Sequence, residues 1–144
     1  MKSFNESLLN NAIKALNELG IKNEDIMILG SIALDLCGMF PDYRKQAHDV
    51  DVLIRCSEEK KEEITKIAKF LNSQCNGSDK STIVMPLPYV ILNIWFTKDQ
   101  FDSLLRLQNG VYVEEPLKCI EKKKKYSRYK DLQDINSILR QILS

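Results

Sequence analysis

The chain has little of what marks several functional classes. Its 144 residues include one histidine, His48, one tryptophan, Trp95, and five glycines. Four cysteines, Cys37, Cys56, Cys75 and Cys119, are scattered without a Cys-x-x-Cys pair. With a single histidine to join them, they do not match the spacings of a zinc site. No apolar run approaches the roughly 20 residues that span a bilayer, and the start, Met-Lys-Ser-Phe-Asn-Glu, carries no apolar signal segment. The expectation is a cytoplasmic protein with no membrane partner, in which the cysteines stay reduced and act as small apolar residues. Neither charge is in excess: 21 Lys and Arg against 20 Asp and Glu leave a net charge of +1. That balance creates no global field for a polyanion, so nucleic acid is unsupported as a partner. Repeats and low-complexity segments are absent too.

What is present is the composition of a folded domain, 44% hydrophobic and 28% charged. The length allows one core and not two, so residues 1–144 are expected to form a single domain.

The informative stretch runs from Leu29 to Ile54. An apolar run, Ile26-Met27-Ile28-Leu29, stops at Gly30-Ser31 and passes into the helical spacing of Ile32, Ala33 and Leu36. This predicts a strand, a tight turn and a helix start, where unpaired N–H groups and a glycine make a plausible phosphate seat. A second apolar strand follows, interrupted by Asp49 and Asp51. Side chains two apart share a face of a strand, so both carboxylates point one way and Val50, Val52 and Ile54 the other. Two such charges about 4 Å apart repel by about 1 kcal/mol in water and about 4 kcal/mol at the effective dielectric of a protein surface. Mg²⁺ or Mn²⁺ would offset this, being held by one or two carboxylates together with substrate phosphates. The competing reading is that the pair merely edges a strand into solvent.

Gly30-Ser31 followed by His48-Asp49-Val50-Asp51-Val52 resembles the signature of the DNA polymerase beta-like nucleotidyltransferase superfamily. The small bacterial members are the most similar, including aminoglycoside and lincosamide nucleotidyltransferases and AbiEii-like toxins. The resemblance implies a minimal nucleotidyltransferase fold of the α/β (α+β) class. That fold has a mixed sheet of about four or five strands, helices mainly on one side, and a site along the strand ends. It also implies that Arg44 and His48, on the loop before the carboxylates, and Gly30 and Ser31 bind a nucleoside triphosphate. Asp49 and Asp51 would then be catalytic and hold the metal.

The remaining segments are read from spacing. Leu8, Leu9, Ala12, Ile13, Leu16 and Leu19 mark a first helix ended by Gly20. Ser57 with Glu58 and Glu59 starts another, whose buried face is Ile64, Ile67, Ala68 and Leu71. After a polar loop, Ser81 to Met85 reads as a strand, and Tyr89 to Phe96 as a central one. Its exception is Asn93. The resembled proteins commonly have a third carboxylate there, completing the metal site and serving as base. An asparagine offers a carbonyl but no charge, and it cannot take a proton at neutral pH. The alternative for Asn93 is a buried amide bonded to a neighbouring loop. Asp35 or Glu114 could supply the missing charge, although sequence places neither near the site.

A short strand, Val111 to Val113, precedes a helix opened by Pro116, on which Leu117, Ile120 and Lys124 share a face. Arg128-Tyr129-Lys130-Asp131-Leu132-Gln133-Asp134-Ile135 then resembles the closing element of the small bacterial enzymes. On that likeness Lys124 and Lys130 reach toward the triphosphate and Asp131 caps or orients the last helix. The competing reading makes Lys122 to Lys125 a solvated charge run. Ile135, Ile138, Leu139 and Ile142 are expected to pack the last helix on the core.

Two functions follow. One is transfer of a nucleoside monophosphate from a metal-bound nucleoside triphosphate to a hydroxyl of a small-molecule or protein acceptor. The other is a catalytically impaired nucleotide-binding or partner-binding module, antitoxin-like or accessory, because Asn93 replaces the third carboxylate. A homodimer could supply the acceptor surface that a chain this short lacks.

Overall fold

The computed structural model describes residues 3–41, 47–72, 83–126 and 128–143. In chain order these form α1 (Ser3–Glu18), a 3-10 turn (Asn23–Asp25), β1 (Ile26–Leu29), α2 (Gly30–Leu36), β2 (Val50–Arg55), α3 (Glu58–Asn72), β3 (Ile83–Pro86), β4 (Ile91–Thr97), β5 (Tyr112–Val113), α4 (Pro116–Tyr126) and α5 (Tyr129–Leu143). The expected α/β fold with a mixed sheet is what the chain adopts. Five strands are ordered β3-β4-β2-β1-β5. β1 runs antiparallel to β2 and β3 to β4, while β1–β5 and β2–β4 are parallel pairs.

Alternation sorts each strand onto two faces. Val50, Val52 and Ile54 of β2 are fully buried, whereas Asp51, Leu53 and Arg55 are half-buried. Leu92 and Ile94 of β4 and Ile26 and Ile28 of β1 join the buried side. They form one apolar cluster with Leu8, Leu9, Ala12, Ile13 and Leu16 of α1 and with Ile64 and Ala68 of α3. Burying the apolar faces of α1 and α3 against the sheet is the main favourable term, at about 25 cal/mol per Å² removed from water. β4 lies between two neighbours, though β2 holds the centre. Pro86, which cannot donate to a ladder, ends the edge strand β3, where it is tolerated.

α3 starts as its sequence suggests, with the Lys60 amide donating to Ser57 Oγ at 3.2 Å. A second small cluster joins Leu34 of α2, Cys119 of α4 and Ile138 of α5. Here an expectation is corrected. Ile138 is buried and Ile135 half-buried, but Leu139 and Ile142 point outward, 41% and 42% exposed. The physical reason is that α5 turns its acids inward: Asp131, Asp134 and Ser137 are buried.

Candidate active site

The sheet register assembles the site. Leu29, at the end of β1, lies opposite Asp51, and Asp51 lies opposite Asn93 on β4. Asp49 immediately precedes β2, one alternation from Asp51, so both carboxylates reach the same side. Asn93 Nδ2 donates to Asp49 Oδ2 at 2.7 Å and to Asp51 Oδ1 at 2.9 Å. A carboxamide nitrogen carries two hydrogens, so one neutral group accounts for both bonds. Bonds to ionised acceptors are stronger than neutral ones. The amide therefore holds apart, and satisfies, two charges that would otherwise repel. Its partners are the carboxylates themselves rather than a neighbouring loop.

Gly30 is fitted to this arrangement on two counts. Its φ is +62°, in the left-handed region, and a Cβ there would lie 2.5 Å from Asp51 Oδ2. Only glycine permits both that backbone and that approach.

Asp51 is pushed up to about 6 from its ordinary 3.8, chiefly by burial and further by the Asp49 charge. The Asn93 hydrogen bond, Lys123 and Lys130 pull it back. The two lysines thus lie close enough to Asp51 to favour its ionised form. Lys123 is held in place by Asp134, with Nζ 2.7 Å from Oδ2, and their side chains are 13% and 0% exposed. Lys124 and Lys130 are exposed on α4 and α5. Helical phase explains why Lys123 turns inward: it lies four residues after the buried Cys119 and three after the half-buried Ile120. Lys124 lies seven after Leu117, which is 66% exposed. Reading Leu117 and Ile120 as one inward face hid Lys123; Cys119 as the inward residue would have found it.

Asp131 binds the start of α5. Its carboxylate accepts from the Arg128 backbone N–H at 3.2 Å and from Arg128 Nε at 2.7 Å, the half of a capping box in which the N3 carboxylate satisfies the N-cap amide. Burial raises its pKa, but the Arg128 bonds and charge outweigh that and hold it below the usual carboxylate value.

The two other acids considered are both buried and differ in role. Asp35 accepts from Asn5 Nδ2 at 2.8 Å, while Asn5 Oδ1 accepts from the Ala47 amide at 2.8 Å. It ties α1 and α2 to the chain just ahead of His48. Glu114 follows β5 and sits at the turn itself. Gly30 N–H donates to its Oε1 at 3.4 Å, and Lys122 pairs with its Oε2. An internal carboxylate thus already occupies one amide of the predicted phosphate seat, which no local sequence signal announces.

His48 is exposed beside Asp49, and Ser31 is half-buried beside Gly30. Arg44 lies outside the described residues. Among the described residues no group of three or more His, Cys, Asp or Glu side chains comes together. The donor set is therefore two carboxylates and an amide that can present its carbonyl by rotating about χ2. That set suits Mg²⁺, which keeps several waters and takes one or two carboxylates with substrate phosphates. Burial raises the thiol pKa of Cys37 and of Cys56, and pushes Cys119 to about 12, which suits inert apolar residues.

No family model and no curated protein sequence matches the chain. Among solved structures it is similar to the crystal structure of an antigenic nucleotidyltransferase-like protein from Paracoccidioides brasiliensis. The TM-score is 0.51 at 19% sequence identity, covering 96% of this chain and 76% of that one. The likeness is one of fold: the mixed sheet and its helices follow a nucleotidyltransferase-like plan.

Proposed function

We propose that the protein is a nucleotidyltransferase of the DNA polymerase beta-like superfamily. In this reading it transfers a nucleoside monophosphate from a nucleoside triphosphate to a hydroxyl of a small-molecule or protein acceptor. The observation that carries the reading is the contact of Asp49, Asp51 and Asn93 on one sheet face beside the left-handed Gly30. The nucleotidyltransferase-like fold adds to it. Bound between Asp49 and Asp51, Mg²⁺ or Mn²⁺ would supply Lewis-acid charge neutralisation on the phosphates.

The chain's own residues do the rest by positioning. Phosphoryl chemistry needs charge placed where it develops and little covalent help. Lys123, fixed by Asp134, and Lys130 bring positive charge to the Asp51 side. Gly30 keeps the turn against Asp51, and Ser31, Arg44, His48 and Lys124 stand as further nucleotide contacts. Asn93 positions both carboxylates and takes no proton.

The second reading, a nucleotide-binding or partner-binding module with impaired catalysis, is favoured by one observation: the Asn93 amide satisfies both carboxylates without a cation. Calorimetry with ATP, with and without Mg²⁺ or Mn²⁺, on the parent and on Asp51→Asn tests the site. Metal-dependent binding lost in the variant supports it, and labelled nucleoside triphosphates then separate the two readings by transfer. Absence of binding with all four nucleotides refutes the nucleotide site.

A further inference from the structure

The sheet has a second face, and the candidate carboxylates stand on it. Ile28, Val52, Ile54 and Ile94 point into the main apolar cluster with α1 and α3. Alternation turns Met27, Leu53 and Trp95 the other way, with Asp51 and Asn93. Register then aligns them in one row across the strands. Trp95 of β4 lies opposite Leu53 of β2, Leu53 opposite Met27 of β1, and Met27 opposite Tyr112 of β5. All four are half-buried, and neither apolar cluster of the described residues includes Met27, Leu53 or Trp95. Phe101, edge-on to the Tyr112 ring at 5.2 Å between centroids, and the Arg106 guanidinium, 5.2 Å from the same ring centre, cover the Tyr112 end. From there the row runs through Met27 and Leu53 to Trp95 as a strip of uncharged side chains.

The strip is continuous with the candidate reaction centre. It lies two residues along the strands from Asp51 and Asn93, about 7 Å. It also lies on the side away from Gly30, which follows Leu29, the last residue of β1 and the partner of Asp51. In displacement at phosphorus the attacking and leaving oxygens stand roughly in line. With the phosphates toward Gly30, the acceptor hydroxyl comes from over the strip. The site also restricts which hydroxyl reacts. Asn93 is bonded to both carboxylates and takes no proton, so the acceptor has to release its own. A phenol does so with a pKa of about 10, whereas water, which an alkanol resembles, has one of about 15.7.

We propose that the acceptor is the phenolic hydroxyl of a small aromatic molecule whose ring lies on Leu53 and Trp95. The inference deepens the nucleotidyltransferase reading and rests on it. The phenolic oxygen bonds to the α-phosphorus, and the bond from that phosphorus to the oxygen bridging the β-phosphate breaks. Diphosphate leaves with the electron pair, and the phenolic proton passes to water. A polycationic acceptor fits less well, because the row carries no carboxylate among the described strand residues. A protein acceptor would call for roughly 800 Å² of surface, more than a strip of three side chains closed at one end.

Trp95 is the only tryptophan in the chain, so its fluorescence reports the strip without reference to transfer. On the full chain with Mg²⁺ and a non-hydrolysable ATP analogue, p-cresol changes its emission saturably and kanamycin does not. Leu53→Asn, close to leucine in size, lowers the affinity for p-cresol about tenfold; Met27→Gln decides the matter if Leu53→Asn fails to fold. With ATP labelled at its α-phosphate, label passes to p-cresol and not to cyclohexanol, a saturated ring of similar size. The inference is overturned, and the nucleotidyltransferase reading left standing, if the analogue binds but p-cresol leaves the Trp95 emission unchanged. The same holds if p-cresol and cyclohexanol accept equally, or if a tyrosine-containing peptide accepts and p-cresol does not. If no nucleotide binds in calorimetry, that reading falls and the acceptor role falls with it.

Discussion

Replacing Asn93 with aspartate perturbs the site at its most connected atom. The amide nitrogen now stands 2.7 and 2.9 Å from Asp49 and Asp51 and gives each a hydrogen. A third carboxylate there gives none, and unit charges about 4 Å apart repel by about 4 kcal/mol at a surface-like dielectric. The cluster relieves that repulsion by taking up a proton. Asp51 already titrates at about 6, so holding its proton at pH 7 costs about 1.4 kcal/mol. The carboxyl so formed offers one hydrogen where the amide offered two, and a lost bond to a charged acceptor is worth about 1.5–3 kcal/mol. The variant is therefore less stable by about 3 kcal/mol in EDTA, a fall in Tm of about 10 °C for a chain of this size. A cation reverses the effect, since a ligand at a hundred times its Kd stabilises by about 2.7 kcal/mol. Thermal melts of parent and Asn93→Asp in EDTA and in Mn²⁺ measure both effects. Equal Tm values in EDTA, or equal gains with Mn²⁺, would refute the argument that Asn93 stands in for a cation between the two carboxylates.

Four further outcomes are expected. Because the folded Asp51 pKa is raised above its unfolded 3.8 to about 6, its destabilising contribution is absent below pH 4. It grows as pH rises and is complete above about 6, reaching at most about 3 kcal/mol. Asp51→Asn in EDTA should then match the parent near pH 4 and exceed it at pH 7; a difference independent of pH contradicts the buried-charge account. Gly30→Ala should lower stability by about 1–3 kcal/mol and remove ATP binding, since Cβ would meet Asp51 in a left-handed backbone; urea titration and calorimetry report both. Lys123→Ala should cost about 3–5 kcal/mol by removing the cation from a buried ion pair with Asp134. Lys124→Ala should stay within about 0.5 kcal/mol of the parent in the same urea titration.

Local pattern determined much of this protein. The apolar runs and their stops marked β1, the Gly30 turn and α2. Two-residue alternation placed Asp49 and Asp51 on the face opposite Val50, Val52 and Ile54, because a strand has no other way to dispose neighbouring side chains. Helical spacing marked α1 and α3 with their buried faces. Tertiary structure decided what depends on register between distant strands and on the rotation of helices. Only the parallel pairing of β2 with β4 sets Asn93 beside Asp51, a contact spanning 42 residues. Only the return of β5 alongside β1 brings Glu114 to the Gly30 amide. In α4 and α5 the sequence pattern misled, because apolar spacing predicts the buried side only where burial of apolar area dominates. Here hydrogen-bonded ion pairs to Lys123 and Arg128 set the rotation. They turn Asp131 and Asp134 inward, select Lys123 over Lys124, and leave Leu139 and Ile142 on the surface.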